Sequence, residues 1–429
     1  MRQMVSYLLP LKNAFATATL RQSSVTFLGT VTNGLLGAGF YILAARALGP
    51  ANFGLLVVAI TTLTLVGDIG NLGADTGLVR FVAKYIKDQK EKAYRFLRLS
   101  LAVKFVALPS LALAGWFLSP FIANNIFQKP ILEFPLKLAF IGAGGALLFS
   151  FSTSSFQALQ RFWSWSGLQI GTNTLRLLII AALWYYGNLG LNTGLAVYIA
   201  VPFLGFLASL FFLPRGILRT SRSFLVAREY FHYSKWVALF ALLTAVSSRL
   251  DIFISARLLA AQEVGFYAAA TQLVVIVPQI VVAVGTVIAP KMASLVTREE
   301  FVAYFKKTQL LVLALAALGA ISIPVVIYLI PIIYGSVYAT SVPALFVILL
   351  FAMLIFLISV PVHNAVLYYF GYSKLFVWVA AGHLAIIGIL GWHLISLYGA
   401  PGAAWTVFIG ATFNFVVPLL WVMNKIIRR

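Results

Sequence analysis

The sequence predicts an all-α, polytopic membrane protein, with about twelve transmembrane helices in two parallel six-helix lobes around a central cleft. Three observations carry that expectation. The first is composition: 62% of the residues are hydrophobic and only 10% charged, for a mean hydropathy of +0.99. A soluble domain does not carry that apolar load, and the runs reach the roughly 20 residues that a helix needs to cross about 30 Å of hydrocarbon. The short alternating segments of a transmembrane β-barrel are missing.

The second observation is an internal repeat. Under a constant offset of 211 (257 − 46), Arg46 falls on Arg257, Leu48 on Leu259, Gly54 on Gly265 and Arg80 on Lys291. Without a gap, Asn33 falls on Thr244, Gly37 on Ser248, Thr61 on Gln272, Asp68 on Gln279 and Asp75 on Thr286. A duplicated apolar unit that keeps its polar positions is the pattern of a two-lobed transporter with a site between its lobes. The third observation is where the charge lies. Most of the 31 lysines and arginines fall in alternate loops, which the positive-inside rule assigns to the cytoplasmic face together with both termini. The net charge of +21 is therefore a topology signal and not a nucleic-acid footprint.

Taken in order, the first twenty or so residues hold Arg2, Lys12 and Arg21 around short apolar pieces and lack a cleavage site. They read as a short interfacial helix, with an unstructured lead as the alternative. Apolar periodicity then places spans near 24–46, 53–75, 99–119, 135–157, 166–187 and 193–214 in a lobe of residues 1–214. A basic linker, 215–234, follows; its arginines suit either an amphipathic helix on the inner surface or a solvated loop. The second lobe, 235–429, has spans near 235–257, 264–288, 309–331, 342–363, 375–396 and 401–423. An even number of spans per lobe makes the repeat parallel. The outer connections are short except Ser119–Pro135, which contains Asn124, Asn125 and Lys129.

Polar residues mark the candidate site. Thr61, Thr64, Asp68, Asn71 and Asp75 step by three and four and so share one face of a continuous helix. Thr26, Thr30, Asn33 and Gly37 do the same, as do Thr244, Ser248, Asp251 and Ser255, and Gln272, Gln279 and Thr286. Small hydroxyl residues also serve helix packing, but a carboxylate at mid-span costs about 2.5–3.5 kcal/mol on insertion scales and is kept for water or a partner. Four such stripes on repeat-equivalent helices point to a hydrated cleft.

Among the cations, Lys104 lies just inside the third span, where it can snorkel to the inner surface. Arg176 and Arg249 lie deeper, so each needs either a carboxylate partner, Asp68 or Asp251, or an anionic ligand. Arg46 and Arg257 are read as caps on helix C-termini. Arg80 and Lys291 suit an anion collector at the inner mouth, or simple obedience to the charge rule. The candidate substrate-contacting residues are thus Arg80, Lys104, Arg176, Arg249, Lys291, Asn33, Gln272 and Gln279; the candidate ion-coupling residues are Asp68, Asp75 and Asp251. No catalytic or metal-ligating set is expected.

Two stretches, Ala45-Arg46-Ala47-Leu48-Gly49-Pro50-Ala51-Asn52-Phe53-Gly54 and Gly77-Leu78-Val79-Arg80-Phe81-Val82-Ala83, carry a likeness. So do Asp251 with Val264-Gly265-Phe266-Tyr267, and Tyr398-Gly399-Ala400-Pro401-Gly402-Ala403-Ala404. Together they resemble the polysaccharide-transporter and O-antigen flippase branch of the multidrug/oligosaccharidyl-lipid/polysaccharide (MOP) superfamily. The resemblance implies a non-enzymatic flippase that moves undecaprenyl-diphosphate-linked sugars across the bacterial inner membrane by alternating access. It further implies an H+ or Na+ gradient as the drive and no cofactor. The expected partners are an anionic lipid-linked sugar, membrane lipid, a polysaccharide polymerase and glycosyltransferases, with no nucleic acid and a monomeric chain. Arg249 close to the usual Asp is a departure from the family pattern.

Rival classes leave traces that are missing here. The sequence has no DxD pair for a glycosyltransferase and no GxxxxGK[ST] loop for an ATP-driven pump. His232, His363, His383 and His393 lack metal-ligand spacing, and His363 and His383 suit helix packing. There are no cysteines for disulfides or thiolate sites. A multidrug exporter of the same fold is the nearest alternative; its cleft should be net acidic, and this interior is net basic.

Overall fold

The computed structural model describes residues 18–221 and 223–428, so the N-terminal interfacial helix expected around Arg2 and Lys12 lies outside the described residues, as do Arg222 and Arg429. Helices carry nearly all of the described chain. They run α1 Ala18–Asn71, α2 Ala74–Tyr85, α3 Lys90–Phe121, α4 Glu133–Ala158, α5 Phe162–Tyr185, α6 Leu191–Ser209, α7 Phe224–Ser247 and α8 Leu250–Leu258. There follow α9 Ala261–Val274, α10 Ile276–Ala293, α11 Arg298–Ile321, α12 Ile323–Tyr334, α13 Val342–Ile358, α14 Val360–Asn364, α15 Lys374–Ala385, α16 Gly391–Tyr398 and α17 Ala400–Arg428.

Among the described residues, ten helices are long and apolar enough to cross a membrane, or eleven when α7 and α8, bent by 41°, are taken as one. The first two expected spans fall in a single helix, α1, whose one internal break is Gly49 (φ 70°) followed by Pro50. The repeat reproduces that break in register. Equivalent to Gly49 is Ala260, an extended residue between α8 and α9; equivalent to Pro50 is Ala261, where α9 begins. Proline at a first helical position gives up an N–H that has no partner there, so the restart after Gly49 costs little.

Two polar stripes are not continuous faces. Leu72 (φ 49°) and Gly73 (φ 69°) form a left-handed turn that separates Asn71 on α1 from Asp75 on α2. Arg249 is a non-helical residue between α7 and α8, so Thr244 and Asp251 sit on different helices. Apolar periodicity alone does not reveal either turn; the first falls among Gly70, Asn71 and Gly73 and the second at Ser247, Ser248 and Arg249.

The described chain gathers into two compact units. One takes the residues up to Phe40, Thr62–Ala123 and Pro130–Ala245; the other takes Tyr41–Thr61, Asn124–Lys129 and the chain from Val246 onward. In the first unit, Phe81 and Phe96 stack at 4.7 Å, and Tyr230 is fully buried against them with its hydroxyl donating to Ala74 O at 2.7 Å. Tyr230 and Val226 come from the basic linker. From Phe224 on it is helical, and Val226 and Tyr230 on one side of it pack against α2 and α3 while Phe224 and Leu225 stay exposed. Glu229 fastens it further, accepting from Tyr85 Oη at 2.9 Å and pairing with Lys92 at 3.2 Å. In the second unit, Phe301 stacks on Tyr369 at 4.0 Å in a core closed by Met292 and Val422.

The second unit also contains the crossing of the two repeat-equivalent helix starts. A methyl added at Gly54 would strike Ala261 O and lie 2.7 Å from Gly265 N; one added at Gly265 would strike Pro50 O and lie 2.7 Å from Pro50 C. Position 50 meets 265 and its equivalent 261 meets 54, a self-complementary contact of the kind that relates equal surfaces about a two-fold axis. Flanking carbonyls are exchanged in the same sense. Tyr338 Oη donates to Ala45 O at 2.8 Å, and Lys129 Nζ donates to Ala256 O, the equivalent of Ala45. Arg46 does meet a helix C-terminus, that of another element. Its Nη1 donates at 2.6 Å to Ile332 O, in the last turn of α12.

Because both glycines meet backbone and not a flexible side chain, Gly265→Ala should lower the thermal midpoint of the purified protein by an amount corresponding to about 1–3 kcal/mol of overpacking. An unchanged midpoint in a detergent melt would mean that the crossing is looser than described.

Candidate functional site

Two polar clusters stand out in the first unit, and both contain residues singled out from the sequence. The first is built on Lys104, whose side chain is 1% exposed. Its ammonium donates to Asp75 Oδ1 at 2.6 Å, Ser150 Oγ at 2.7 Å and Asn71 Oδ1 at 3.1 Å. Lys104 therefore does not snorkel. The left-handed turn at Leu72–Gly73 re-aims α2 so that Asn71 and Asp75, on either side of it, converge on the same nitrogen. Glycine is required at Gly73 on two counts: its φ is positive, and a Cβ there would lie 2.8 Å from Ser234 O. All three protons of the ammonium have acceptors, as a charge taken out of water needs. Lys104 and Asp75 thus neutralise each other.

The second cluster is built on Arg176. Gln169, Asn173 and Arg176 follow at four and three residues along α5 and so share a face. Asn173 Nδ2 donates to Asn33 Oδ1, Asn33 Nδ2 donates to Gln169 Oε1 at 3.4 Å, and Arg176 Nη1 donates to Asn173 Oδ1 at 2.9 Å. Asn33 reaches α5 because, one turn earlier, Gly29 gives α1 room: a methyl there would lie 2.8 Å from Ser166 Cβ. The guanidinium stands over the Tyr198 ring at 4.1 Å and within 5.8 Å of Phe40. Desolvated cation–π contacts of this kind are worth about 2 kcal/mol. Among the described residues no carboxylate pairs with Arg176, and its Nε is buried without a hydrogen-bond partner. Of the two alternatives read from the sequence, a carboxylate partner or an anionic ligand, the described residues do not supply the first for Arg176; an amide and an aromatic face stand against it. The opposite face of α5, away from Gln169, Asn173 and Arg176, lines an apolar cavity of about 790 Å³ with Trp163, Gly167, Gly171, Leu175, Leu204 and Phe212.

In the second unit, Asp251 is half-buried and accepts the Tyr267 hydroxyl one helix on, which gives this carboxylate a neutral partner instead of an arginine. Gln272 is half-buried on α9 and Gln279 exposed on α10. Arg80 is exposed and stands 4.3 Å over the Tyr233 ring; Lys291 and Asp68 are exposed. Arg249 is half-buried at the α7–α8 break. His363 Nε2 lies 2.9 Å from Asn414 O, and His383 Nδ1 lies 3.1 Å from Ser247 Oγ, so both join helices. Among the described residues, no three His, Cys, Asp or Glu side chains come together as a metal site. Sequence reading passed over Asn173, Gln169, Tyr198, Ser150 and Tyr267. For the first two, the i, i+4, i+7 relation to Arg176 was a signal available in advance. For Tyr198, Ser150 and Tyr267 only the packed helices reveal it.

Solved structures share this architecture. The lipid II flippase MurJ in an inward-closed conformation superposes with a TM-score of 0.75 at 15% identity, over 93% of this chain and 87% of that one. An inward-facing MATE-family multidrug resistance transporter gives 0.73 at 13% identity, over 92% and 94%. A MOP-superfamily transporter from Pyrococcus furiosus gives 0.62 at 12% identity, over 95% of each. Comparison with curated proteins yields no match. The fold is thus that of the MOP-superfamily membrane transporters. The family of polysaccharide biosynthesis proteins matches residues 19–296, well over half of the chain, and the protein belongs to that family.

Removing one partner of a buried ion pair strands the other, at a cost of about 3–5 kcal/mol. Asp75→Ala should therefore lower the thermal midpoint sharply, while Asp75→Leu combined with Lys104→Met should recover most of the loss. Equal melting of the single and double variants would refute the neutral-pair reading.

Proposed function

We propose that this protein carries an anionic, lipid-linked oligosaccharide, such as an undecaprenyl-diphosphate-linked repeat unit, across the bacterial inner membrane by alternating access. The observation that carries this reading is Arg176: a half-buried guanidinium within the membrane-spanning part of α5, oriented by Asn173 and Tyr198, with no carboxylate partner among the described residues. A charge held in place but not neutralised favours an anion at that position, and a guanidinium fork suits phosphate oxygens. Membership of a polysaccharide biosynthesis family agrees with such a cargo.

On this reading Asn33 holds Arg176 through Asn173, while Lys104 acts as the counter-charge of Asp75 and does not touch substrate. Arg249, Gln272 and Gln279 belong to the transport path, and Arg80 and Lys291 to its basic mouth. Of the three carboxylates Asp68, Asp75 and Asp251, Asp75 is held by Lys104, so a coupling proton or sodium ion falls to Asp68 and Asp251. Reading α1 as two spans joined at Gly49, and α7–α8 as one, gives twelve spans in two parallel lobes, with both termini cytoplasmic.

Reconstituted in vesicles with a fluorescent lipid-linked oligosaccharide, Arg176→Gln should slow translocation roughly tenfold or more, the loss expected when one hydrogen-bonded charge contact of about 1.5–3 kcal/mol is removed. Arg176→Lys should recover part of the rate. Wild-type rates in the glutamine variant would refute the assignment. Collapse of both the proton and the sodium gradient should halt net transport; continued transport would exclude an ion-coupled drive.

A further inference from the structure

Arg46 and Arg257 occupy equivalent positions of the repeat but have different surroundings. Arg46 is spent on the Ile332 carbonyl at 2.6 Å. Arg257, in the last turn of α8, is half-buried, and its Nη1 is sealed from solvent without a hydrogen-bond partner. A second cation stands beside it. Lys129, half-buried in the connection between α3 and α4, docks its ammonium on Ala256 O, the carbonyl immediately before Arg257. The preceding residue, Gln128, holds a left-handed backbone (φ 54°), a conformation that a glutamine adopts only when its surroundings impose it. Burial, and after it the charge of Arg257, depress the pKa of Lys129.

Two like charges so close need a counter-ion, and the described residues do not supply one. Among the described residues neither Lys129 nor Arg257 takes part in an ion pair. Of the acids on the helices flanking Arg257, Asp251 binds Tyr267, and Glu263, in the first turn of α9, forms no ion pair with either cation. The C-terminal carbonyl that would repel an anion at the end of α8 is already covered by the Lys129 ammonium.

We propose that Lys129 and Arg257 form a binding site for a phosphate group. A guanidinium fork and an ammonium together match a dianionic phosphate in charge and in donor geometry. The phosphate can belong to a free ion or to a lipid headgroup, and the site stands apart from the Arg176 reading.

The test uses the full chain in nanodiscs of phosphatidylcholine, titrated calorimetrically with pyrophosphate, and in parallel mixed with vesicles containing phosphatidylglycerol. Saturable binding is expected in one or both arms, and the responding arm identifies the source of the phosphate. Arg257→Gln and Lys129→Gln should each weaken it about tenfold, the loss of one hydrogen bond to a charged group. Arg257→Lys should restore part of the affinity, and Arg46→Gln should weaken thermal stability but not binding. Absence of saturable binding in both arms would overturn the proposal. So would wild-type affinity in a monodisperse Arg257→Gln protein, or a loss confined to Arg176→Gln.

Discussion

Backbone touching backbone at Gly54 and Gly265 is the constraint on which the second unit rests. The repeat puts a glycine at the same place twice, and the fold brings the two copies together. With no Cβ on either side, the start of α9 and the restart of α1 after Pro50 approach more closely than any other residue pair would allow. That approach sets the positions of the neighbouring carbonyls. Ala45 O and Ala256 O lie close before these starts, and each receives a donor from elsewhere in the unit. Tyr41–Thr61 and Asn124–Lys129 consequently gather with the C-terminal part of the chain.

Charge within the membrane is handled in three physically different ways. Lys104 is neutralised outright: one carboxylate, one amide and one hydroxyl take its three protons. Asp251 relies on a tyrosine hydroxyl, which satisfies lone pairs without adding a counter-charge. Arg176 is steadied by an amide and a ring face, which orient the guanidinium and leave its charge in place. The first solution belongs to scaffold. The last keeps electrostatic attraction available, as a binding group must.

Much of this was readable in advance. The all-helical membrane class follows from composition and run length, and the repeat pointed to Gly54, Gly265, Arg46 and Arg257 before any contact was known. Asp75 and Lys104 stood out because charge inside a span is costly. Their pairing did not, since it depends on a left-handed turn at Leu72–Gly73 that leaves no trace in apolar periodicity. The same limit explains why Thr244 and Asp251 were placed on one helix: Arg249 breaks it without a proline or glycine at the break. Arg176 was singled out for its charge; its hydrogen-bond partner Asn173 is three residues away on α5, but the rings it stands over come from α1 and α6.

The exchange of caps between the repeats bears on how this chain came about. Tyr338, from the second half, closes a helix end in the first, and Lys129, from the first half, closes one in the second. Two separate copies of a single ancestral half would make that trade between subunits, as partners in a homodimer do. Fusion of the genes would then lock it in. The two donors, a phenol and an amine, come from positions that the 211-residue offset does not equate; only their acceptors, main-chain oxygens that side-chain substitution does not remove, are equivalent.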